Sequence, residues 1–288
     1  MKIRMRLENW VVIVVAAMMV ASVVVAPPSF ASARKKPIPM FYVSLGDSYA
    51  AGFQGGPGVP GGYATKVVTD VAPKHKLILR NFACGGATTS SLLSAVGCSN
   101  HATTDAVAYP TMTQIAAAIS FIDAHRGRIG LITITIGGNN LGNSVANVPA
   151  MQVDIVNISA QLRDAAGRSV PIIGLTYPDV DLVDWLSGGG DIATAEESVT
   201  AFSKVINPAL VAGYSSSNIT FVDITAASGA YTPLTQLVIY STYGEIPYAV
   251  AQLCILTWMC SKSNVHPTDA GYTLIAKQIV KAYLKLVV

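Results

Sequence analysis

The sequence predicts an α/β fold: a three-layer α/β/α sandwich built on a five-stranded, mainly parallel sheet. Three observations carry that prediction. Five short apolar or β-branched runs alternate along the chain with longer stretches of helical periodicity, which is the pattern of a parallel sheet with crossover helices. The third run, Ile129 to Ile136, reads IGLITITI and suits a strand covered on both faces. The loops after the first three runs are rich in Gly, Ser and Asn, and in open α/β sheets that edge is where ligands sit. The length of 288 residues and an apolar content of 51% allow one sizeable core or at most two small ones.

The N-terminus is organised differently. Met1 to Arg6 is basic, Trp10 to Ala26 is apolar and uncharged, and Ala31-Ser32-Ala33 has the small-x-small pattern of a cleavage site. Residues 1–33 therefore read as a secretory signal peptide, removed after Ala33 to leave 34–288 as one exported domain. A retained anchor is the competing reading. The apolar run is at the short limit for a membrane span, and the cleavage pattern follows it directly. Leu234 to Met259 is also apolar but is broken by Thr, Gly, Glu and Pro. Only 12% of residues are charged and the net charge is +3, part of it in the leader. That balance argues against a disordered chain or a nucleic-acid partner. A secreted monomer is expected.

Cys84, Cys98, Cys254 and Cys260 are an even set in an exported chain, which points to disulfides. Three connectivities are possible, and the sequence-local one, Cys84–Cys98 with Cys254–Cys260, is the simplest. A four-thiolate zinc site is disfavoured, because the short C-x-x-C spacing is missing. No metal and no cofactor are expected.

In order, Arg34 to Pro39 is an extended lead-in and Met40 to Leu45 the first strand. Phe53 to Gly62 is loop by its Gly and Pro content. Tyr63 to Val71 is a helix stopped by Pro73. Leu77 to Phe82 is the second strand, and Thr88 to Ala95 a short helix. Pro110 to His125 shows Ile115, Ile119 and Ile122 at helical spacing. Ile129 to Ile136 is the third strand, Val148 to Ala166 an amphipathic helix, and Val170 to Thr176 the fourth strand. Ile192 to Ala212 is helical, Ile219 to Ile224 is the fifth strand, and the last helix runs from about Thr268, its N-cap, to Leu286. Residues 225–260 are the least readable.

The chemistry gathers in the loops. The first strand ends at Gly46 and delivers Ser48, a residue type that serves as nucleophile when a base and an oxyanion hole come from elsewhere. Taken alone, Ser48 reads better as a turn or helix-cap residue. The second loop holds Gly85-Gly86 and the third Gly137-Gly138-Asn139-Asn140. His266 precedes the last helix. His75 sits in a Lys-His-Lys run and reads as solvated, His125 ends a helix, and His101 lies in a polar loop, so His266 is the histidine suited to act as base.

These blocks resemble the SGNH hydrolases, also called GDSL-type lipases and esterases. Gly46-Asp47-Ser48-Tyr49 is similar to their first block, Gly86 to the second-block glycine, Gly137-Gly138-Asn139 to the third block and His266 to the fifth. The likeness runs over about residues 40–285, and the sequence context is similar to the secreted actinobacterial-type branch. It implies a flavodoxin-like sheet and a carboxylic ester hydrolase with an acyl-enzyme intermediate. Ser48 would be the nucleophile and His266 the base. The Ser48 N–H, the Gly86 N–H and the Asn139 amide would form the oxyanion hole.

Two departures stand out. The family's Asp three residues before the histidine is Ser263 here, and Asp269 reads as facing away in the first helical turn. A Ser–His dyad is expected, with a backbone carbonyl of the Trp258–Ser263 loop or a water orienting the ring. Asn140 stands where the family often has Asp.

Substrate signals are sparse. Leu234 to Trp258 is read either as a wall or lid of an acyl-chain groove or as core packing. The substrate is then an acyl or lipid ester, met in transient contact with a lipid interface. Acetylated carbohydrate is the alternative, with Tyr49, Trp185 and Tyr240 as aromatic platforms. A second alternative is a decayed site on a secreted binding protein, suggested by the missing Asp.

Overall fold

The structure is a computed structural model and describes residues 38–54, 62–71, 75–100, 106–142 and 144–287. The predicted signal peptide, most of the Gly/Pro loop and His101 lie outside the described residues. In chain order the elements are β1 (Met40–Gly46), α1 (Ser48–Ala51), α2 (Tyr63–Val71), β2 (Leu77–Asn81), α3 (Thr89–Ser94), α4 (Gln114–Ala124), β3 (Ile129–Thr135), α5 (Gly138–Leu141), α6 (Val148–Ala166) and β4 (Ile172–Leu175). There follow α7 (Asp184–Ser187), α8 (Ile192–Ala201), α9 (Asn207–Ser215), β5 (Thr220–Val222), α10 (Ile224–Ala227), β6 (Leu237–Tyr240), β7 (Gly244–Pro247), α11 (Tyr248–Leu256), β8 (Thr257–Trp258), α12 (Met259–Lys262), β9 (Asn264–Pro267) and α13 (Asp269–Leu286).

The five expected strands form one parallel sheet in the order β2-β1-β3-β4-β5. That order reverses at β1, so β1 and β3 flank the crevice where such sheets open at their C-terminal ends. Every residue of β3 is buried. Helices α3, α4, α6 and α9 pack together as one layer, and α2 and α13 pack as the other. The core between the layers is built on Leu45, Leu131, Ile132, Ile134 and Ile173 on the strands with Ile155, Ile158, Leu162 and Ile279 on the helices. Each such side chain stabilises the fold by about 1.5–3 kcal/mol on burial.

Threonines cap three of the helices, and Thr268 does so as expected. Thr88 caps α3 in a reciprocal box with Ser91, Thr113 caps α4, and Thr268 caps α13 by accepting the Gly271 N–H. The single helix expected over Ile192 to Ala212 is instead interrupted. Residues Phe202–Ile206 form a π-helical turn between α8 and α9. Pro208, in the first turn of α9, lacks the N–H that would continue the α-helical ladder, and a π-bulge accommodates it.

The segment that is hard to read becomes an appendage outside the main sheet. Strands β6 and β7 pair as an antiparallel hairpin, and β8 pairs antiparallel with β9. The inner face of the hairpin and α11 bury Ile246, Val250 and Ala251 against Trp185 and Leu186. On its outer face Leu237 is 46% and Ile239 80% exposed. The stretch therefore supplies core packing on one side and an exposed apolar edge on the other.

Candidate active site

Ser48 is the first residue of α1, directly beyond β1. The turn into it depends on Gly46. Its φ is +132°, and a Cβ there would lie 1.9 Å from the Thr135 carbonyl oxygen, so only glycine lets β1 pass this close to the end of β3. Asp47 caps α1 with its side chain. One carboxylate oxygen accepts the Tyr49 N–H at 2.9 Å and the other accepts the Tyr177 hydroxyl at 2.5 Å. Burial pushes the Asp47 carboxyl up to about 7, and the two hydrogen bonds pull the other way. Ser48 itself is half-buried, between fully buried neighbours.

The three strand-end loops are tied to one another. Asn81 donates to the Ala50 carbonyl at 2.9 Å and accepts the Ala83 N–H. Gln114 holds both backbone polar groups of Gly46, accepting its N–H at 2.7 Å and donating to its carbonyl at 3.1 Å. Asn140 accepts the Thr89 N–H and donates to the Thr89 hydroxyl, each at 2.9 Å. Asn140 thus braces one loop on another, although it is an amide where the related pattern often has Asp. Asn139 is exposed and donates one amide hydrogen to the Ala87 carbonyl at 2.9 Å. An amide nitrogen carries two, so this bond fixes the side chain and leaves a second donor. Gly86 is also exposed. Its φ is +79° with open space around a notional Cβ, so backbone conformation is what calls for glycine here.

His266 reaches the same edge from β9, which is not part of the main sheet. Two contacts link it to the Ser48 turn. The Tyr49 hydroxyl donates to the Val265 carbonyl at 2.5 Å. The Phe53 ring, packed on Gly85, stacks on the imidazole with centroids 5.6 Å apart and planes 28° from parallel. Burial shifts the His266 pKa below its usual value, favouring the neutral ring.

The ring is oriented differently from expectation. Its Nδ1 lies 2.7 Å from the side-chain oxygen of Asn264, which also accepts the His266 backbone N–H at 2.9 Å. A side-chain amide two residues upstream takes the place of the expected backbone carbonyl or water. Asn264 was visible in the sequence and was missed. Asn often accepts the N–H two residues on, and that local habit is the signal that points to it. Asp269 does face away from the imidazole, in an ion pair with Lys66 at 2.7 Å.

The structure joins Cys84 to Cys98 and Cys254 to Cys260. The first bridge forms part of a depression of about 500 Å³ beside Gly86, whose lining includes Val96, Tyr109 and Pro110. Other sequence-based roles change. His75 is half-buried, edge-on to Tyr283 with centroids 5.2 Å apart, rather than solvated. His125 stacks on Phe121 at the end of α4. Tyr49, considered as an exposed platform, is 4% exposed and ties β9 down instead. Among the described residues, no three His, Cys, Asp or Glu side chains are grouped as metal ligands.

The arrangement brings a serine, a neutral imidazole and a set of amide donors to one end of a parallel sheet. The model of the GDSL-like Lipase/Acylhydrolase family matches residues 44–274. No curated protein matches the chain. Among solved structures, the chain is similar to a phospholipase A1 from Streptomyces albidoflavus, with 16% identity over 86% of this chain and 99% of that one and a TM-score of 0.51. It is also similar to an extracellular lipase from Streptomyces rimosus, with 17% identity, 86% and 100% coverage and a TM-score of 0.49. At such identity the first likeness speaks for the fold. The family match covers most of the chain, and it carries the conclusion: this protein belongs to the GDSL-like lipase/acylhydrolase family and is an ester hydrolase.

Proposed function

We propose that this protein is a secreted serine hydrolase that cleaves acyl or lipid esters through an acyl-Ser48 intermediate. One observation carries the reading. The imidazole of His266 is held through Nδ1, which leaves the ring lone pair on Nε2, and its strand is tied to the turn that begins with Ser48.

The chemistry follows from those groups. Ser48 Oγ attacks the ester carbonyl while His266 Nε2 takes its proton. The tetrahedral oxyanion is met by the Ser48 N–H, the Gly86 N–H and the second Asn139 amide hydrogen. Collapse breaks the bond to the alcohol, which leaves with the proton from His266. A water then gives a proton to the same nitrogen and attacks the acyl-serine; collapse breaks the acyl–Oγ bond, Ser48 Oγ takes the proton back from His266, and the acid departs. These donors are neutral, so the hole needs no titration.

One arm of the ester occupies the depression beside Gly86. The exposed Leu237 and Ile239 support brief contact with a lipid interface. Two disulfides and the N-terminal charge and apolar pattern support export, with cleavage near Ala33. No helix among the described residues is long and apolar enough to cross a membrane.

The test is hydrolysis of p-nitrophenyl esters from acetate to palmitate by the protein and by Ser48→Ala and His266→Ala. Each variant is expected to lose on the order of 10⁶-fold in kcat, as for nucleophile and base in a catalytic unit. A rate that rises with chain length supports the acyl-lipid assignment. A preference for acetate sinks it in favour of a deacetylase.

A further inference from the structure

We propose that Asn264 is the positioning residue for His266, standing in for the carboxylate of a triad with a neutral amide whose orientation is fixed by the backbone. This rests on the Ser48–His266 reading and goes beyond it.

An amide beside a catalytic imidazole is usually a hazard. If its NH₂ faces Nδ1, the ring carries its proton on Nε2 and the base is lost. An Asp→Asn change in a serine protease triad costs about 10⁴-fold in this way. Here the amide cannot make that error easily. The oxygen of Asn264 takes two donors at once, the His266 backbone N–H at 2.9 Å and Nδ1 at 2.7 Å. A backbone N–H can only donate. Flipping the amide would set NH₂ against that N–H, a clash of two donors that forfeits the backbone bond whichever tautomer the ring adopts. The backbone therefore selects the oxygen, the oxygen selects the Nδ1–H tautomer, and Nε2 is left as acceptor.

The surrounding chain holds this geometry. Ser263 sits in the left-handed region at φ +47°, the conformation that ends α12 and turns the chain into β9. The Cys254–Cys260 bridge links α11 to α12, and Trp258 pairs with Asn264 across β8 and β9. Ionisable groups on the packed elements offer no alternative carboxylate. On the α1 side, Asp47 is engaged by Tyr49 and Tyr177, and Tyr49 by Val265. On α12, the Lys262 ammonium lies over the Trp258 ring. On α13, Asp269 is paired with Lys66, and Tyr272 donates to the Phe53 carbonyl. A neutral acceptor steadies the imidazolium less than a carboxylate, so the enzyme keeps its base deprotonated to lower pH than a carboxylate-bearing triad does.

The experiment compares pH profiles of kcat/KM for the wild type, Asn264→Asp, Asn264→Ala and His266→Ala on a p-nitrophenyl ester. Asn264→Ala is expected to lose ten- to a thousandfold in kcat with KM within threefold. Asn264→Asp, nearly isosteric, is expected to keep activity at high pH and to move the acid limb up by about one unit, as a nearby negative charge does. An Asn264→Ala variant within threefold of wild type overturns the proposal, as does an Asn264→Asp acid limb that stays in place. If Asn264→Ala does not fold, the acid limb of Asn264→Asp decides alone. Full activity in His266→Ala would instead remove the Ser48–His266 reading beneath it.

Discussion

The two halves of the candidate site are built on different principles. Ser48, Gly86 and Asn139 ride on the ends of β1, β2 and β3, adjacent strands of one parallel sheet with a fully buried centre. Their loops are cross-braced by Asn81, Gln114 and Asn140. His266 comes from a two-stranded ribbon outside that sheet, held by a disulfide, one tyrosine hydroxyl and one stacked ring. The sheet end derives its precision from the core. The ribbon end must obtain its precision from a few local contacts. Damage at the first should therefore change the electrostatics of a site that stays in place, and damage at the second should displace the base.

The largest effect expected from a single change at the sheet end, apart from Ser48 itself, is at Asn139. On the proposed mechanism, Asn139→Ala removes an oxyanion donor together with the bond to the Ala87 carbonyl. A kcat loss of a hundred- to a thousandfold is expected, about 3 kcal/mol in the barrier, with KM little changed. Steady-state kinetics on a short-chain ester checks it, and a loss below tenfold would remove Asn139 from the hole.

The two ends also titrate in opposite senses. Burial raises the Asp47 carboxyl to about 7, so the folded state holds a proton that the unfolded chain releases near pH 4. That contribution falls as pH rises from about 4 to 7. Asp179, also pushed up to about 7 by burial, adds to it. His266 is shifted down by burial, so its contribution is lost as pH falls through its unfolded value near 6.5. Urea midpoints are expected to drop between pH 5 and pH 7.5, by about 2 kcal/mol per carboxyl. Asp179→Asn should flatten the drop, and His266→Ala should steepen it. A wild-type midpoint that rises over this range contradicts the assignment.

The disulfides separate the halves again. Cys84–Cys98 closes a separation of 14 residues beside Gly86, and Cys254–Cys260 closes 6 between α11 and α12, ahead of the strand that carries His266. Loop closure favours the first as the larger contributor to stability, about 3 against about 2 kcal/mol. The comparison of halves predicts the reverse order for activity. Replacing Cys254 and Cys260 by serine should reduce kcat more than replacing Cys84 and Cys98, though it costs less in thermal stability. Melting temperatures and kcat of the two double variants test this together.

The sheet half was legible in the sequence because its signals are periodic and local. β-branched runs gave the five strands, Thr88 and Thr268 marked helix starts, and the loops after the first three strands announced themselves by small residues. The order of the sheet is that of the flavodoxin-like sheet which the family resemblance implies. Asn264 was not found because attention to the position three before the histidine, occupied by Ser263, looked for a charge. The working contact is a neutral side chain one residue later. The π-turn at Phe202–Ile206 and the hairpin β6–β7 escaped for other reasons. The π-turn goes with Pro208 inside a stretch that reads as one helix, whereas the hairpin, apolar with no single period, takes its conformation from packing against Trp185 and Leu186.

The smallest expected effect is at the seam between the halves. Tyr49 belongs to the sheet half by its place in α1 and to the ribbon half by its hydroxyl, which holds the Val265 carbonyl. Burial and the nearby Asp47 raise its pKa, so it stays a neutral donor throughout the working range. Tyr49→Phe keeps the ring against Tyr177 and deletes only that bond. A cost of about 1 kcal/mol is expected, because the freed carbonyl is on a half-open strand. If the ribbon is positioned locally, the loss should appear as a kcat reduction of several-fold, with faster hydrogen exchange confined to Val265, His266 and their neighbours. Exchange that quickens equally in β1 and β3 would mean that the two halves are one cooperative unit, and the distinction drawn between them would fall.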